Sequence, residues 1–249
     1  MRLLLVAFVL LSLVACTTRQ TGPLNREQAV VAAGANTEIA SYHLRRGDLA
    51  AARSRVQRAL EQDPRSVDAH LVSAELWTRL ADADRAERHY RKALSFERRP
   101  AAALNNYATF LCRQDRLDTA IDHWEEAAAD RLYAHRAMAL SNAAQCLNDR
   151  GNPVQAGRAA DYWREALTIQ SGYPPALRGL AEWSLARGRT RAAGDWYSRY
   201  TEQVKDSASG LWLGIRIARA ANHAERQGRL TARLRELFPA SRQAARLTE

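Results

Sequence analysis

Lysine is almost missing from this chain: only Lys92 and Lys205 occur, so arginine carries nearly all the positive charge behind a formal net charge of +10. The arginines are scattered and form no tract. A clustered basic footprint, the mark of a nucleic-acid binder, is therefore absent, and no nucleic-acid partner is expected. The excess reads as solvated helix faces, with attraction to an anionic membrane surface or an acidic partner left open. Histidine is sparse, at positions 43, 70, 89, 123, 135 and 223, and never in the HExxH spacing of a zinc hydrolase. There is no GxSxG nucleophile elbow and no Walker loop. Glu125-Glu126 has no matching carboxylate pair at a fixed spacing. These gaps leave no catalytic residue, metal site, cofactor or small-molecule substrate to expect, and they argue against an enzyme. Beyond the first residues, no apolar run reaches the length needed to cross a bilayer.

What is present begins at the N-terminus. Met1-Arg2 is a short basic start, and Leu3 to Val14 is an apolar run too short to span a membrane. Leu13-Val14-Ala15-Cys16 closes it with small residues, as a secretory signal peptide does. With Cys directly after Ala15, the stretch resembles a bacterial lipobox. That resemblance implies a signal peptide over 1–15, removal of it, and a diacylglycerol on the Cys16 thiol. Thr17 in place of Asp favours the outer membrane, by analogy with the sorting of enteric lipoproteins. Two or more acyl chains anchor stably, since each buried methylene contributes about 0.8 kcal/mol. Residues 16–28 read as a polar tether, and 29–249 as the folded body.

The body carries a rhythm. Ala52 and Ala59 are repeated as Ala86 and Ala93, Ala120 and Ala127, and Ala159 and Ala166, with steps of 34, 34 and 39 residues, and Ala193 follows 34 later. A period of this length marks tetratricopeptide (TPR) helical hairpins, so the fold class is an all-α superhelical stack of about six units. The units start near 33, 67, 101, 137, 174 and 208. The paired alanines sit where two helices approach closely. The residue between them (Val56, Tyr90, Trp124, Trp163, Tyr197) fills the core, and Ile39 takes a core place in the first helix of unit one. A Pro near position 32 of a unit, such as Pro64, ends the second helix. Two extra residues precede unit four, and three more lie in its turn, within Asn152 to Arg158. Tyr200 replaces the second alanine of unit five, so packing must adjust there. The sixth unit is degenerate, as a terminal unit with one wet side should be.

Such stacks line their concave face with the first helices, and positions 5, 9, 12 and 13 of each unit usually point there. The expected partner-binding groove is Thr37, Ser41, Leu44 and Arg45 in unit one, Leu71, Glu75, Thr78 and Arg79 in unit two, and Asn105 and Thr109 in unit three. The mixed polarity suits an amphipathic helix or an extended segment rather than a C-terminal carboxylate. Cys112 and Cys146 fall on adjacent first helices. They are either a disulfide, which an oxidising compartment favours, or two buried free thiols.

Three stretches carry a closer resemblance. These are Asn105-Asn106-Tyr107-Ala108-Thr109-Phe110-Leu111-Cys112 with Ala120 to Ala128, Ser141-Asn142-Ala143-Ala144-Gln145-Cys146-Leu147, and Leu211 to Arg219 with Phe238-Pro239. Together with the lipobox they resemble the type IV pilus biogenesis/stability family, PilF/PilW, over nearly the whole mature chain. The resemblance implies a non-enzymatic outer-membrane lipoprotein on the periplasmic face. It implies a pilotin that binds the pilus secretin subunit and promotes its localisation and multimerisation, and hence twitching motility. It also implies pairing of Cys112 with Cys146. The chain departs from the family at Ala81-Asp82, where a Gly turn is usual, and at His43, where a larger aromatic is usual. The alternative is a TPR lipoprotein scaffold for another envelope assembly, such as peptidoglycan enzymes or outer-membrane insertion machinery.

Overall fold

A computed structural model describes residues 24–96, 101–150 and 152–247. The signal peptide, Cys16 and most of the tether lie outside the described residues, as do Pro100 and Gly151. Among the described residues there are thirteen helices and no strand. Units one to six are the pairs α1 (Arg26–Arg46) and α2 (Leu49–Gln62), α3 (Val67–Arg79) and α4 (Ala83–Phe96), α5 (Ala101–Arg113) and α6 (Leu117–Ala129), α7 (Arg136–Asp149) and α8 (Pro153–Ile169), α9 (Pro174–Ala186) and α10 (Thr190–Gln203), and α11 (Ala208–Ala220) and α12 (Ala224–Leu237); a short α13 (Arg242–Ala245) follows. The helices of each hairpin pack on each other, and the first helices of successive units also touch. The chain is an all-α TPR stack.

In the five units whose turn is described, the hairpin turns by the same device in different residues. Position 15 of a unit is left-handed: Gly47 (φ 79°), Ala81 (φ 58°), Asp115 (φ 58°), Gly188 (φ 67°) and Asn222 (φ 56°). The next N–H then reaches back to the carbonyl five residues earlier: Asp48 to His43, Asp82 to Trp77, Arg116 to Leu111, Arg189 to Ser184 and His223 to Ala218, all at 2.9–3.0 Å. This is a Schellman cap, and it satisfies carbonyls that the helix end leaves open. Unit two makes it with Ala81, whose Cβ carries a left-handed cost of about 1 kcal/mol.

The alanine pairs are fully buried, and Val56, Tyr90, Trp124, Trp163 and Tyr197 between them are 1–3% exposed. The later units accommodate large rings with glycine. A Cβ on Gly179 would come within 2.3 Å of the Trp163 ring, one on Gly214 within 2.3 Å of the Tyr197 hydroxyl, and one on Gly210 within 3.4 Å of the Tyr200 ring. Gly179 and Gly214 thus make room for rings of the preceding unit, whereas Gly210 lies in ordinary contact with Tyr200.

Three expectations need correction. The tether ends before residue 25, not at 28. Asn25 and Gln28 form a reciprocal capping box that starts α1 at Arg26. The additional residues after Gly151 do not lengthen a turn; Asn152 caps α8, and they extend that helix to 17 residues. Ile39 is not core but 38% exposed. Its place in later units packs on the preceding hairpin, as Tyr107 stacks on Tyr90 with centroids 5.4 Å apart. Unit one has no preceding hairpin among the described residues.

Candidate partner-binding face

The expected groove residues divide into two sets. Thr37, Leu44 and Asn105 are buried, at 6%, 4% and 3% exposed, and do not line an open groove. Thr37 donates its hydroxyl hydrogen to the Ala33 carbonyl one turn back, at 2.8 Å. Leu44 belongs to the apolar core shared by the first two units. Asn105 is held across a unit boundary, where Asn142 Nδ2 donates to its Oδ1 at 3.0 Å. The reason is shared: the first helix of the next unit lies against these side chains, because successive first helices are in contact.

The others reach the surface to different degrees. Ser41, Leu71, Glu75, Thr78 and Thr109 are half-buried, and Arg45 and Arg79 are exposed. Thr78 and Thr109 donate to the carbonyls four residues back, Ala74 at 2.8 Å and Asn105 at 3.0 Å. Glu75 accepts from Arg79 Nε at 2.8 Å. A second guanidinium nitrogen of Arg79 donates to the Leu44 carbonyl of unit one. The first helices thus join through side chain-to-backbone bonds along this face. Arg150 makes the corresponding link from unit four, donating to the Cys112 carbonyl at 2.6 Å and pairing with Asp115 at 2.8 Å.

Cys112 and Cys146 lie beside that link, with Sγ atoms 2.01 Å apart and Cα atoms 6.3 Å apart. They join the first helices of units three and four.

The surface feature that sequence reasoning missed is apolar. On α1, Val31 is 69% exposed, Ile39 38% and Tyr42 48%; with exposed Ala35 they are spaced 4, 4 and 3 residues apart, along one helical stripe. Arg46 caps its end, donating to the Tyr42 hydroxyl at 2.8 Å. The signal was in the sequence, because unit one has no earlier unit to cover its seventh position.

Part of the arginine excess also has a use other than solvation. Arg53 and Arg85 sit over Trp77 at 5.2 and 4.3 Å, and Arg164, Arg187 and Arg189 surround Trp183 at 5.4, 4.5 and 5.1 Å. Arginine spreads over an aromatic face in a way lysine does not.

Titratable groups on the stack are tied to packing. Burial pushes the Glu87 carboxyl upward, but hydrogen bonds from Arg116, Tyr107 and Arg91 outweigh it and hold it at about 2. In unit two, His70 Nδ1 faces His89 Nδ1 at 2.8 Å while His70 Nε2 bonds the Pro64 carbonyl at 3.1 Å. Burial lowers both imidazoles, and the positive potential of His70, Lys92 and Arg88 takes His89 down to about 4. Among the described residues no three ligating side chains gather into a metal site, and no helix is long and apolar enough to cross a membrane.

No protein-family model matches the chain. A solved relative does: the crystal structure of PilW, described as a widely conserved type IV pilus biogenesis factor, is 30% identical, with a TM-score of 0.74 over 87% of this chain and 98% of that one. The chain belongs to the PilF/PilW family. The type IV pilus assembly protein PilF of Pseudomonas aeruginosa is 28% identical over 96% of this chain and 95% of its own length. A tetratricopeptide repeat protein from Parabacteroides merdae, 15% identical with a TM-score of 0.59, shares the fold alone. The relatives are type IV pilus biogenesis proteins, and this chain shares their family and their TPR fold.

Proposed function

We propose that this protein is a pilotin: an outer-membrane lipoprotein, anchored through acyl chains on Cys16, that captures the type IV pilus secretin subunit and carries it to the outer membrane for multimerisation. The observation that carries the reading is the apolar stripe Val31, Ala35, Ile39 and Tyr42, exposed on the first helix of a member of a pilus biogenesis family. Covering a half-exposed side chain of this size contributes about 1 kcal/mol, so an amphipathic secretin segment laid along α1 gains from three large residues at once. The half-buried Ser41 on the same helix supplies a polar flank. In this reading Cys112 and Cys146 are oxidised in the periplasm and keep the middle of the stack rigid while the first unit binds.

A photo-crosslinking residue at Ile39 or Tyr42 in cells should yield an adduct with the secretin subunit, and Ile39→Ser with Tyr42→Ser should leave secretin monomeric. Deletion of the protein should deplete outer-membrane secretin multimers, and Cys16→Ser should misplace them. Normal outer-membrane multimers in the deletion strain, or an adduct with a different envelope protein, would overturn the reading.

A further inference from the structure

The exposed arginines of the first three units repeat in register. Arg45, Arg79 and Arg113 are 34 residues apart, all in the last turn of a first helix, and all exposed. A cation at a helix C-terminus is favourable by itself, yet the same position in units four to six holds Asp149, Ala186 and Ala220. The repeat therefore belongs to the early units, not to the fold.

The first helices that carry them touch in succession, unit one to two and two to three. Arg79 reaches the carbonyl of Leu44, the residue before Arg45. Neighbouring acids do not neutralise the row. Asp48 pairs with His43, Asp82 with Arg85, Asp115 with Arg150, and Glu87 with Arg91 and Arg116. Among the described residues Glu75 is the one carboxylate paired with the row, through Arg79, and Arg45 and Arg113 form no ion pair.

We infer that Arg45, Arg79 and Arg113 form a cationic track that takes an extended acidic polypeptide segment with a carboxylate at about every third residue. The spacing follows from the fold. Packed helices stand about 8–10 Å apart, and a chain in the extended polyproline II conformation rises about 3.1 Å per residue with three residues per turn, so every third side chain returns to the same face about 9 Å further on and meets the next arginine. Arg45 and Arg113 each present a planar fork that matches a carboxylate, while Arg79, already bonded to Glu75 and the Leu44 carbonyl, offers its remaining N–H groups. The inference goes beyond the capture of a secretin by the apolar stripe. It uses different residues of α1 and holds for any protein that brings such a segment.

The test uses the chain from Leu24 onward, which contains every described helix, and a fluorescent 12-residue peptide of repeated Glu-Ser-Gly. Comparison peptides have the same composition with the glutamates in one block, or carry Gln for Glu. The double variant Arg45→Glu/Arg113→Glu removes two track charges that have no ion-pair partner, and Arg131→Glu/Arg235→Glu reverses two exposed arginines elsewhere. Thermal melts check that both doubles keep the fold. The spaced peptide should bind more tightly than the blocked one, and the Gln peptide should not bind. The track double should weaken binding about tenfold or more and the control double less than twofold. Equal losses in the two doubles, no preference for the spaced peptide, or no peptide binding would overturn the inference. Loss of phosphatidylglycerol-vesicle binding in the track double without any peptide binding would overturn it too, and would give the surface to the membrane.

Discussion

The two ends of the stack face the same problem and meet it differently. At the C-terminus the last hairpin is closed: Leu211, Ile215 and Leu234 are 0–2% exposed, and Phe238, Ala244 and Leu247 pack over them through the short α13. At the N-terminus α1 leaves Val31, Ile39 and Tyr42 open among the described residues. A repeat stack needs a polar cap wherever it stops. Among the described residues the N-terminal unit lacks the cover that α13 gives the last hairpin, and the proposed function assigns that open stripe to a partner. The difference teaches that the same hairpin can be finished by its own chain at one end and left for contact at the other.

The comparison can be broken or sharpened by experiment. The largest effect should come from separating the two halves. Cys112→Ala/Cys146→Ala opens a link across 34 residues, which the chain-entropy model values at about 3–4 kcal/mol. Thermal melts should fall by about 10 °C, and hydrogen exchange should show units one to three opening apart from units four to six.

Next come the ends themselves. Leu234→Ala removes a fully buried side chain and should cost about 3 kcal/mol in urea melts. Ile39→Ala, on the open stripe, should stay within about 0.5 kcal/mol while secretin crosslinking drops. A comparable stability loss at Ile39 would mean that the N-terminal stripe is structural after all.

Acid should act on the N-terminal half first. Burial first, and then the positive potential around it, holds His89 at about 4, below the ordinary imidazole value of about 6.5. Between these values the unfolded chain binds more protons than the folded one. Stability is therefore full above about pH 6.5 and declines as the pH falls toward 4, by on the order of 1–2 kcal/mol after solvent screening. Melts of His89→Phe against pH should lose that dependence.

The smallest effect lies in the turns. Ala81 is left-handed without being glycine, so Ala81→Gly should stabilise unit two by about 0.5–1 kcal/mol, and Gly188→Ala should destabilise unit five by a similar amount. Equal and opposite shifts in the melting midpoint would show that the two turns share one geometry.

Much of this fold was legible in the chain. The alanine pairs, the residues between them and the turn at position 15 recur with a period because each unit solves the same local problem. The glycine partners of Trp163 and Tyr197 were not legible. Each pair spans two units, and nothing local marks Gly179 or Gly214 as facing a ring. The groove was read from register alone; of its residues Arg45 and Arg79 are exposed. Register did not tell Thr37, Leu44 and Asn105 from surface residues, because their burial depends on how closely the next first helix approaches. The stripe on α1 escaped for the converse reason. Its residues look like core in any unit except the first.

By itself, the sequence determined that this protein is a TPR stack, with a lipobox-like start and two cysteines on adjacent first helices. Those features are local or periodic, and helical spacing carries them directly. Only the tertiary structure decided which apolar residues are covered, and which arginines lie over tryptophan rings and which line up on exposed helix ends. Exposure belongs to the neighbours a side chain meets, and in a stack those neighbours come from the next unit, some 34 residues away.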